Sequence, residues 1–174
     1  MKRILALLAL TALHAYAGVF TLPSSVKAHL STDAIESIRE HYAEINRNLS
    51  RYRKVRKQLP GYSIEGGMLE AYADGQAVRK IVATYYGETG KAVEEFYFWD
   101  GQLIFVFRKD FQYDRPLSGK TVSTRENRFY FDNNRLIRWV GESGRQVSSS
   151  KQEYSEKQRE YLESSEEFIK LARS

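Results

Sequence analysis

The segment RPLSGKT, residues 115–121, has the Gly-Lys-Thr ending of a nucleotide phosphate-binding loop. Such a loop needs a first glycine at the position that Asp114 occupies, and it must lie between a buried strand and a helix. The carboxylate of Asp114 would repel a phosphate, and the residues on both sides have the pattern of antiparallel strands. The sequence therefore excludes nucleotide binding here and predicts a turn-rich connection, in which Pro116 fixes φ and Gly119 allows the bend.

The same connection, residues 110–120, concentrates polar side chains, and functional groups are often carried by such loops. A carboxylate-dependent hydrolase built on Asp110 and Asp114 is one hypothesis for this region, and a polar binding site is another. The candidate binding residues in it are Asp110, Tyr113, Asp114, Arg115 and Lys120.

Metal and nucleophile chemistry has little support in the composition. The chain has no cysteine and three histidines, of which His14 lies in a predicted signal peptide. His29 and His41 are too far apart in sequence to suggest a ligand cluster, and no Gly-x-Ser-x-Gly motif occurs. We therefore predict no catalytic residue, no metal site and no cofactor.

Two aromatic segments align without a gap at an offset of 33 residues: FYFWDGQLIFVF (96–107) and FYFDNNRLIRWV (129–140). A fainter copy surrounds Asp74-Gly75. Asp-Gly between apolar runs predicts a two-residue hairpin turn, because both central residues adopt positive φ. Three such hairpins predict an antiparallel meander of about six strands over residues 67–141.

Strict alternation from the Asp100-Gly101 turn assigns the side chains to two faces. One face is expected to form the core, with Phe96, Phe98, Leu103, Phe105 and Phe107, and with Phe129, Phe131 and Leu136 from the second copy. The opposite face is expected to carry Tyr97, Trp99, Ile104, Val106, Tyr130, Ile137 and Trp139. This second face is either partly covered by a helix or loop, or open as an aromatic platform for a ligand. Its candidate binding residues are Trp99, Tyr97, Tyr130 and Trp139.

One helix is predicted before the meander in the sequence and another after it. Apolar residues from Ile35 to Tyr52 recur at spacings of three and four, which predicts a helix over residues 32–58, ended by Pro60-Gly61. A narrower stripe predicts a C-terminal helix over about 152–172. The fold class is thus α+β: a twisted antiparallel meander packed against a long N-terminal helix and a C-terminal helix.

The end of the first predicted helix is densely basic. Six cations and no carboxylate lie within residues 47–57: Arg47, Arg51, Arg53, Lys54, Arg56 and Lys57. They are favourable at a helix C-terminus and could neighbour the glutamate-rich C-terminal helix. They are also the candidate contacts for an anionic lipid or cell-wall surface.

The first 17 residues have the pattern of a signal peptide. Lys2 and Arg3 precede an apolar run too short to span a membrane, and Ala15-Tyr16-Ala17 forms a cleavage motif. Residues 18–31 are expected to be an irregular leader, and 32–174 a single domain. Cleavage lowers the formal net charge from +5 by the two lost cations, and this mild excess argues against nucleic acid as a partner. We expect a periplasmic or secreted protein with no transmembrane segment after cleavage.

The segments IESIREHYAEINRNL, DGQAVRKIVATYYGETGKAVEEFYFWDGQLIFVFRKDFQYDRPLSGKT and RFYFDNNRLIRWV together resemble a family of uncharacterised exported bacterial proteins. The resemblance covers most of residues 32–141. It implies an N-terminal helix with an aromatic meander, and it implies no activity, cofactor or catalytic residue.

The leading functional hypothesis is a non-enzymatic periplasmic binding or scaffolding module that uses the aromatic sheet face or the 110–120 connection. Its partner would be a protein or an envelope component, and the oligomeric state is left open. The alternatives are an anionic envelope-surface binder acting through residues 47–57, and the carboxylate-dependent hydrolase.

Overall fold

A computed structural model of the chain describes residues 24–174, with side chains from Thr32 onward. The predicted signal peptide and residues 18–23 of the leader lie outside these described residues. The elements are α1 (Ser24–Arg47), a short 3-10 turn (Leu49–Arg51), β1 (Arg53–Gln58), β2 (Gly67–Asp74), β3 (Ala77–Gly87), β4 (Gly90–Trp99), β5 (Gln102–Tyr113), β6 (Thr121–Asp132), β7 (Arg135–Val140) and α2 (Gln152–Arg173).

The strands form one antiparallel sheet in the order β1 to β7, each strand paired with its neighbours in sequence. The α+β class, the meander and the two helices are confirmed. The predicted strand count is wrong: the sheet has seven strands, because β1 adds an edge strand that pairs with β2 over its whole length. No helix among residues 24–174 is long and apolar enough to cross a membrane.

The predicted bounds of the first helix are wrong at both ends. The helix α1 begins at Ser24, inside the predicted leader, and ends at Arg47, eleven residues before the predicted end. The side-chain amide of Asn48 donates to the Glu44 carbonyl oxygen at 3.0 Å, where the helix ends. Further helix would also place like charges four residues apart, Arg47 beside Arg51, which is unfavourable. Residues 53–58 instead form the strand β1, which pairs with β2. The cations of β1 lie along a sheet edge, where charge discourages strand-to-strand aggregation.

The two strong hairpin predictions are confirmed at their turns. Trp99 pairs with Gln102, and Asp132 pairs with Arg135. The two loop residues have positive φ in both cases, 48° and 76° at Asp100-Gly101 and 48° and 58° at Asn133-Asn134, as the matching turn type requires. The third hairpin is shifted by one residue, with Asp74 paired to Ala77.

A β-bulge follows each of the three turns, and it changes the predicted faces. The third residue of each returning strand is left out of the pairing, at Arg79, Ile104 and Ile137. Beyond the bulge every side chain moves to the other face relative to strict alternation. Phe96 consequently pairs with Val106 and not with Phe105. The prediction that Phe105 and Phe107 share a face with Phe96 is wrong, as is the placement of Val106 and Trp139 on the opposite face.

Each face of the sheet has its own core and its own helix. Beneath α2 lie Phe96, Phe98, Leu103, Val106, Phe129, Phe131 and Leu136, packed with Tyr154, Tyr161 and Phe168 of the helix. Beneath α1 lie Tyr97, Phe105, Phe107 and Tyr130, packed with Ile35, Ile38 and Ile45. The predicted C-terminal helix is confirmed to within about a residue at each end. Segment 145–147 turns back along β7, where the Val147 amide donates to the Trp139 carbonyl oxygen at 2.9 Å.

Candidate functional site

The aromatic residues predicted as an open platform lie mostly beneath α1. Tyr97 is fully buried and Tyr130 is 7% exposed. The ring of Tyr42 on α1 packs at 4.8 Å from that of Tyr97 and at 5.5 Å from that of Phe105. Of the two alternatives for this face, cover by a helix is therefore the one observed for Tyr97 and Tyr130.

The two tryptophans occupy opposite faces of the sheet. Trp99 is half-buried, with the His41 imidazole stacked on it at 3.9 Å and the Arg79 guanidinium 4.6 Å from its ring centroid. Trp139 lies on the α2 side, where its indole N–H donates to Asn127 Oδ1 at 2.9 Å and its ring contacts Phe129. The structure therefore does not bring Trp99 and Trp139 into one surface.

A buried polar cluster lies beneath the C-terminal end of α1. Lys80, 6% exposed, forms an ion pair with Glu95 at 2.7 Å and donates to Asn46 Oδ1 at 3.1 Å. The Tyr97 hydroxyl donates to Glu95 at 2.6 Å. Burial alone would raise the pKa of Glu95, but the hydrogen bonds from Lys80 and Tyr97 outweigh it and hold that pKa below its usual 4.5. Burial raises the pKa of Tyr97, and the Glu95 carboxylate raises it further. This cluster fixes the helix end on the sheet.

Beside this cluster, α1 and the sheet leave a groove of about 210 Å³ that we name the α1 groove. Its lining residues are Ile38, Arg39 and Tyr42 of α1 and Phe105, Phe107, Arg128 and Tyr130 of β5 and β6. The floor is aromatic: the Phe105 ring lies 4.9 Å from that of Tyr130 and 6.5 Å from that of Phe107. Apolar concavities with a few polar groups at the rim are the usual form of small-molecule sites.

Asp110 is on the α2 face of β5 and belongs to a second buried network. Arg108 donates to both Asp110 oxygens, at 2.7–3.1 Å, and to Glu94 Oε1 at 2.8 Å. Glu94 is 4% exposed and also accepts from the hydroxyls of Tyr85 at 2.9 Å and Tyr161 at 3.3 Å. Because α2 contributes Tyr161, this network joins the helix to β3, β4 and β5.

An open polar depression of about 460 Å³ adjoins that network. Glycines and alanine form part of its lining, with Tyr85, Asp110, Gln112 and Arg125 among the larger side chains. Asp114 does not line it. Asp114 instead accepts from the Ser118 hydroxyl at 2.6 Å and forms an ion pair with Lys120 at 3.4 Å, within the loop between β5 and β6. Tyr113 is half-buried at the end of β5, and Arg115 is exposed in the loop. The two carboxylates of the hydrolase hypothesis thus do not share a described pocket, which counts against it.

The six predicted anion contacts lie on the end of α1, the 3-10 turn and β1. Lys54 and Arg56 form ion pairs with Glu70 of the neighbouring strand. Arg47, Arg51 and Arg53 are exposed, and within the described part of the chain they have no carboxylate at ion-pair distance. Lys57 is half-buried on the α2 side. The proposed neutralisation of this cluster by the glutamates of α2 is not observed among the described ion pairs.

Sequence reasoning did not select the residues of the α1 groove other than Tyr130. Ile38 and Tyr42 belong to the apolar stripe that predicts the helix, and Arg39 follows Ile38 directly in the sequence. Phe105 and Phe107 were assigned to the other face because nothing in the alternation reveals the bulge at Ile104. Arg39 and Arg128 lie on separate elements, α1 and β6, and no sequence pattern brings them together.

The chain matches no protein-family model, no curated protein and no solved structure. The resemblance to exported bacterial proteins therefore stays a prediction.

Proposed function

We propose that this protein is a non-enzymatic binding module of the bacterial envelope that holds the apolar part of a ligand in the α1 groove. The carrying observation is the groove of about 210 Å³ that α1 and the sheet leave between Ile38, Phe105 and Phe107. A ligand can then bury its own apolar surface against side chains that are already ordered, at about 25 cal/mol per Å². Rigid walls also reduce the entropy lost on binding.

The test is binding of a simple apolar probe, decanol, followed by calorimetry and by amide chemical shifts. We expect saturable binding with the largest shifts at Ile38, Phe105 and Phe107. The substitution Ile38→Phe should place a ring in part of the groove and weaken binding at least tenfold. Ala43→Phe, which introduces the same side chain at an exposed position of the same helix, is the matched control and should leave binding unchanged. Shifts confined to other surfaces would refute the proposal.

A second candidate function has separate support in the open edge of the sheet. The exposed side chains of Arg47, Arg51 and Arg53 lack carboxylate partners in the described chain. Their charges are therefore available to attract an anionic membrane surface. We propose that the protein binds anionic lipid and therefore co-sediments with phosphatidylglycerol vesicles. The bound fraction should fall as salt shortens the Debye length from about 10 Å at 0.1 M to about 3 Å at 1 M.

The second function is tested with two variants, one that removes the three arginines named above and one that removes three cations of α2. Replacing Arg47, Arg51 and Arg53 by glutamine should abolish sedimentation with the vesicles. The same replacement at the exposed Arg159, Lys170 and Arg173 of α2 lowers the net charge equally and should have little effect. Equal losses in both variants would indicate net charge, and not this edge, as the cause.

A further inference from the structure

The rim of the α1 groove is positively charged although its floor is apolar. Arg39 of α1 lines one side, and Arg128 of β6 lines the other. The Arg128 guanidinium lies 4.9 Å from the Phe107 ring centroid, and the Lys109 ammonium lies 4.5 Å from the same centroid. Three cations are thus associated with one small aromatic surface.

The carboxylates near this rim do not balance the cations. Glu126 accepts from Arg128 at 2.6 Å and is the cross-strand neighbour of Lys109. Glu95 of β4, the cross-strand neighbour of Phe107, is already paired with the buried Lys80. Arg39 is exposed and has no carboxylate at ion-pair distance among the described residues. The rim therefore retains one unneutralised guanidinium, that of Arg39.

Building on the proposed function, we propose that the ligand of the α1 groove is a single-chain amphiphile with a carboxylate head, of the medium-chain fatty acid class. Its chain lies on Ile38, Phe105 and Phe107, and its carboxylate is bound between Arg39 and Arg128. Guanidinium groups match a carboxylate with paired N–H donors, and such charge-assisted hydrogen bonds are about twice as strong as neutral ones. The apolar floor of the groove matches the hydrocarbon chain of such a ligand, and the cationic rim matches its carboxylate.

The size of the groove favours one free chain over a bilayer surface. A volume of about 210 Å³ between a helix and a sheet accommodates a short chain or ring, whereas a bilayer would need a broad exposed apolar surface. The Glu126 carboxylate, bound to Arg128 in the free protein, occupies the position where a ligand carboxylate would compete. We therefore expect Glu126→Gln to strengthen binding of the acid.

The experiment compares three ten-carbon amphiphiles below their micelle-forming concentrations by calorimetry: decanoate, decanol and decyltrimethylammonium. Decanoate should bind at least tenfold more tightly than decanol, and the cation should bind more weakly than either. In Arg39→Gln/Arg128→Gln the affinity for decanoate should fall to that for decanol, and in Glu126→Gln it should rise two- to fivefold. Arg47→Gln/Arg125→Gln removes the same charge from the same two elements outside the groove, and it should leave the affinity for decanoate unchanged.

The outcomes separate the two proposals. If neither decanoate nor decanol binds, the proposed function itself fails. If both bind equally and the double arginine variant behaves as the native chain, only the carboxylate inference is overturned. Binding to phosphatidylglycerol vesicles without binding to any monomeric amphiphile also overturns it. Should the double variant unfold, Arg39→Gln alone, at an exposed helix position, must still weaken decanoate at least threefold for the inference to stand.

Discussion

Replacing Arg108 by methionine should destabilise the protein strongly, because Arg108 is the counter-charge of a buried carboxylate. Glu94 retains 5% side-chain exposure and Arg108 29%, and the two charged atoms are 2.8 Å apart. At an effective dielectric constant of about 20, charges at that distance attract by about 6 kcal/mol before desolvation is considered. Removing one partner of a buried pair typically costs about 3–5 kcal/mol, since the other charge stays buried without compensation.

The loss can be measured by urea denaturation and by thermal unfolding. For a chain of this length, about 3–5 kcal/mol corresponds to a melting temperature lower by about 6–20 °C. Arg125→Met is the matched control: Arg125 is 63% exposed, its ion pair with Glu142 is 3.7 Å long, and exposed pairs contribute at most about 1 kcal/mol. Adding Glu94→Gln to Arg108→Met should recover at least half of the loss, because the neutral amide oxygen still accepts from Tyr85 and Tyr161. Equal effects of Arg108→Met and Arg125→Met, or no recovery in the double variant, would refute the reasoning.

Three further predictions concern stability. Gly90→Ala should lower the free energy of unfolding by about 2 kcal/mol or more, because a Cβ atom there would clash with the backbone of β5. Gly87→Ala is the control: the atom nearest to an added Cβ is 3.4 Å away, so it should be nearly neutral. Urea denaturation measures both. Stability should fall as the pH rises above 10, because the folded-state pKa values of Tyr97 and Tyr62, the latter at about 12, lie above the unfolded value of 10.0. The unfolded chain therefore loses those protons first. A flat unfolding free energy between pH 10 and pH 12 would contradict this. Tyr97→Ala should cost about 3–5 kcal/mol, whereas Tyr86→Ala, at a side chain 42% exposed, should cost less than about 1 kcal/mol by thermal melting.

Much of the architecture could be predicted from local patterns. Asp100-Gly101 and Asn133-Asn134 specify their turns because few residues tolerate positive φ in succession. The stripes from Ile35 to Ile45 and along α2 specify amphipathic helices because each presents one apolar side. Pairs of strands connected by such turns are forced to be antiparallel, so the meander follows directly.

The errors have a different physical origin. The periodicity of α1 continues in sequence through Leu49 and Tyr52, although the helix ends at Arg47. At that end, both the backbone and the side-chain amide of Asn48 donate to the Glu44 carbonyl oxygen, and the residues that follow are mostly cations. The strand β1 has no alternating apolar pattern, since its cations lie along a solvent-exposed edge, and its identity depends on pairing with β2. Such tertiary pairing is not encoded within the segment itself.

The α1 groove depends on the β-bulge at Ile104, which no pattern in the sequence predicts. Without the bulge at Ile104, strict alternation would direct Phe105 and Phe107 towards α2, and the face beneath α1 would lose the floor of the groove. The bulge instead directs both rings towards Ile38 and Tyr42 and leaves Val106 to complete the core beneath α2. The same bulge position recurs in all three hairpins, so one repeated backbone irregularity divides the aromatic residues between two cores. A single aromatic repeat thereby serves both a closed core on one side and a groove with a charged rim on the other.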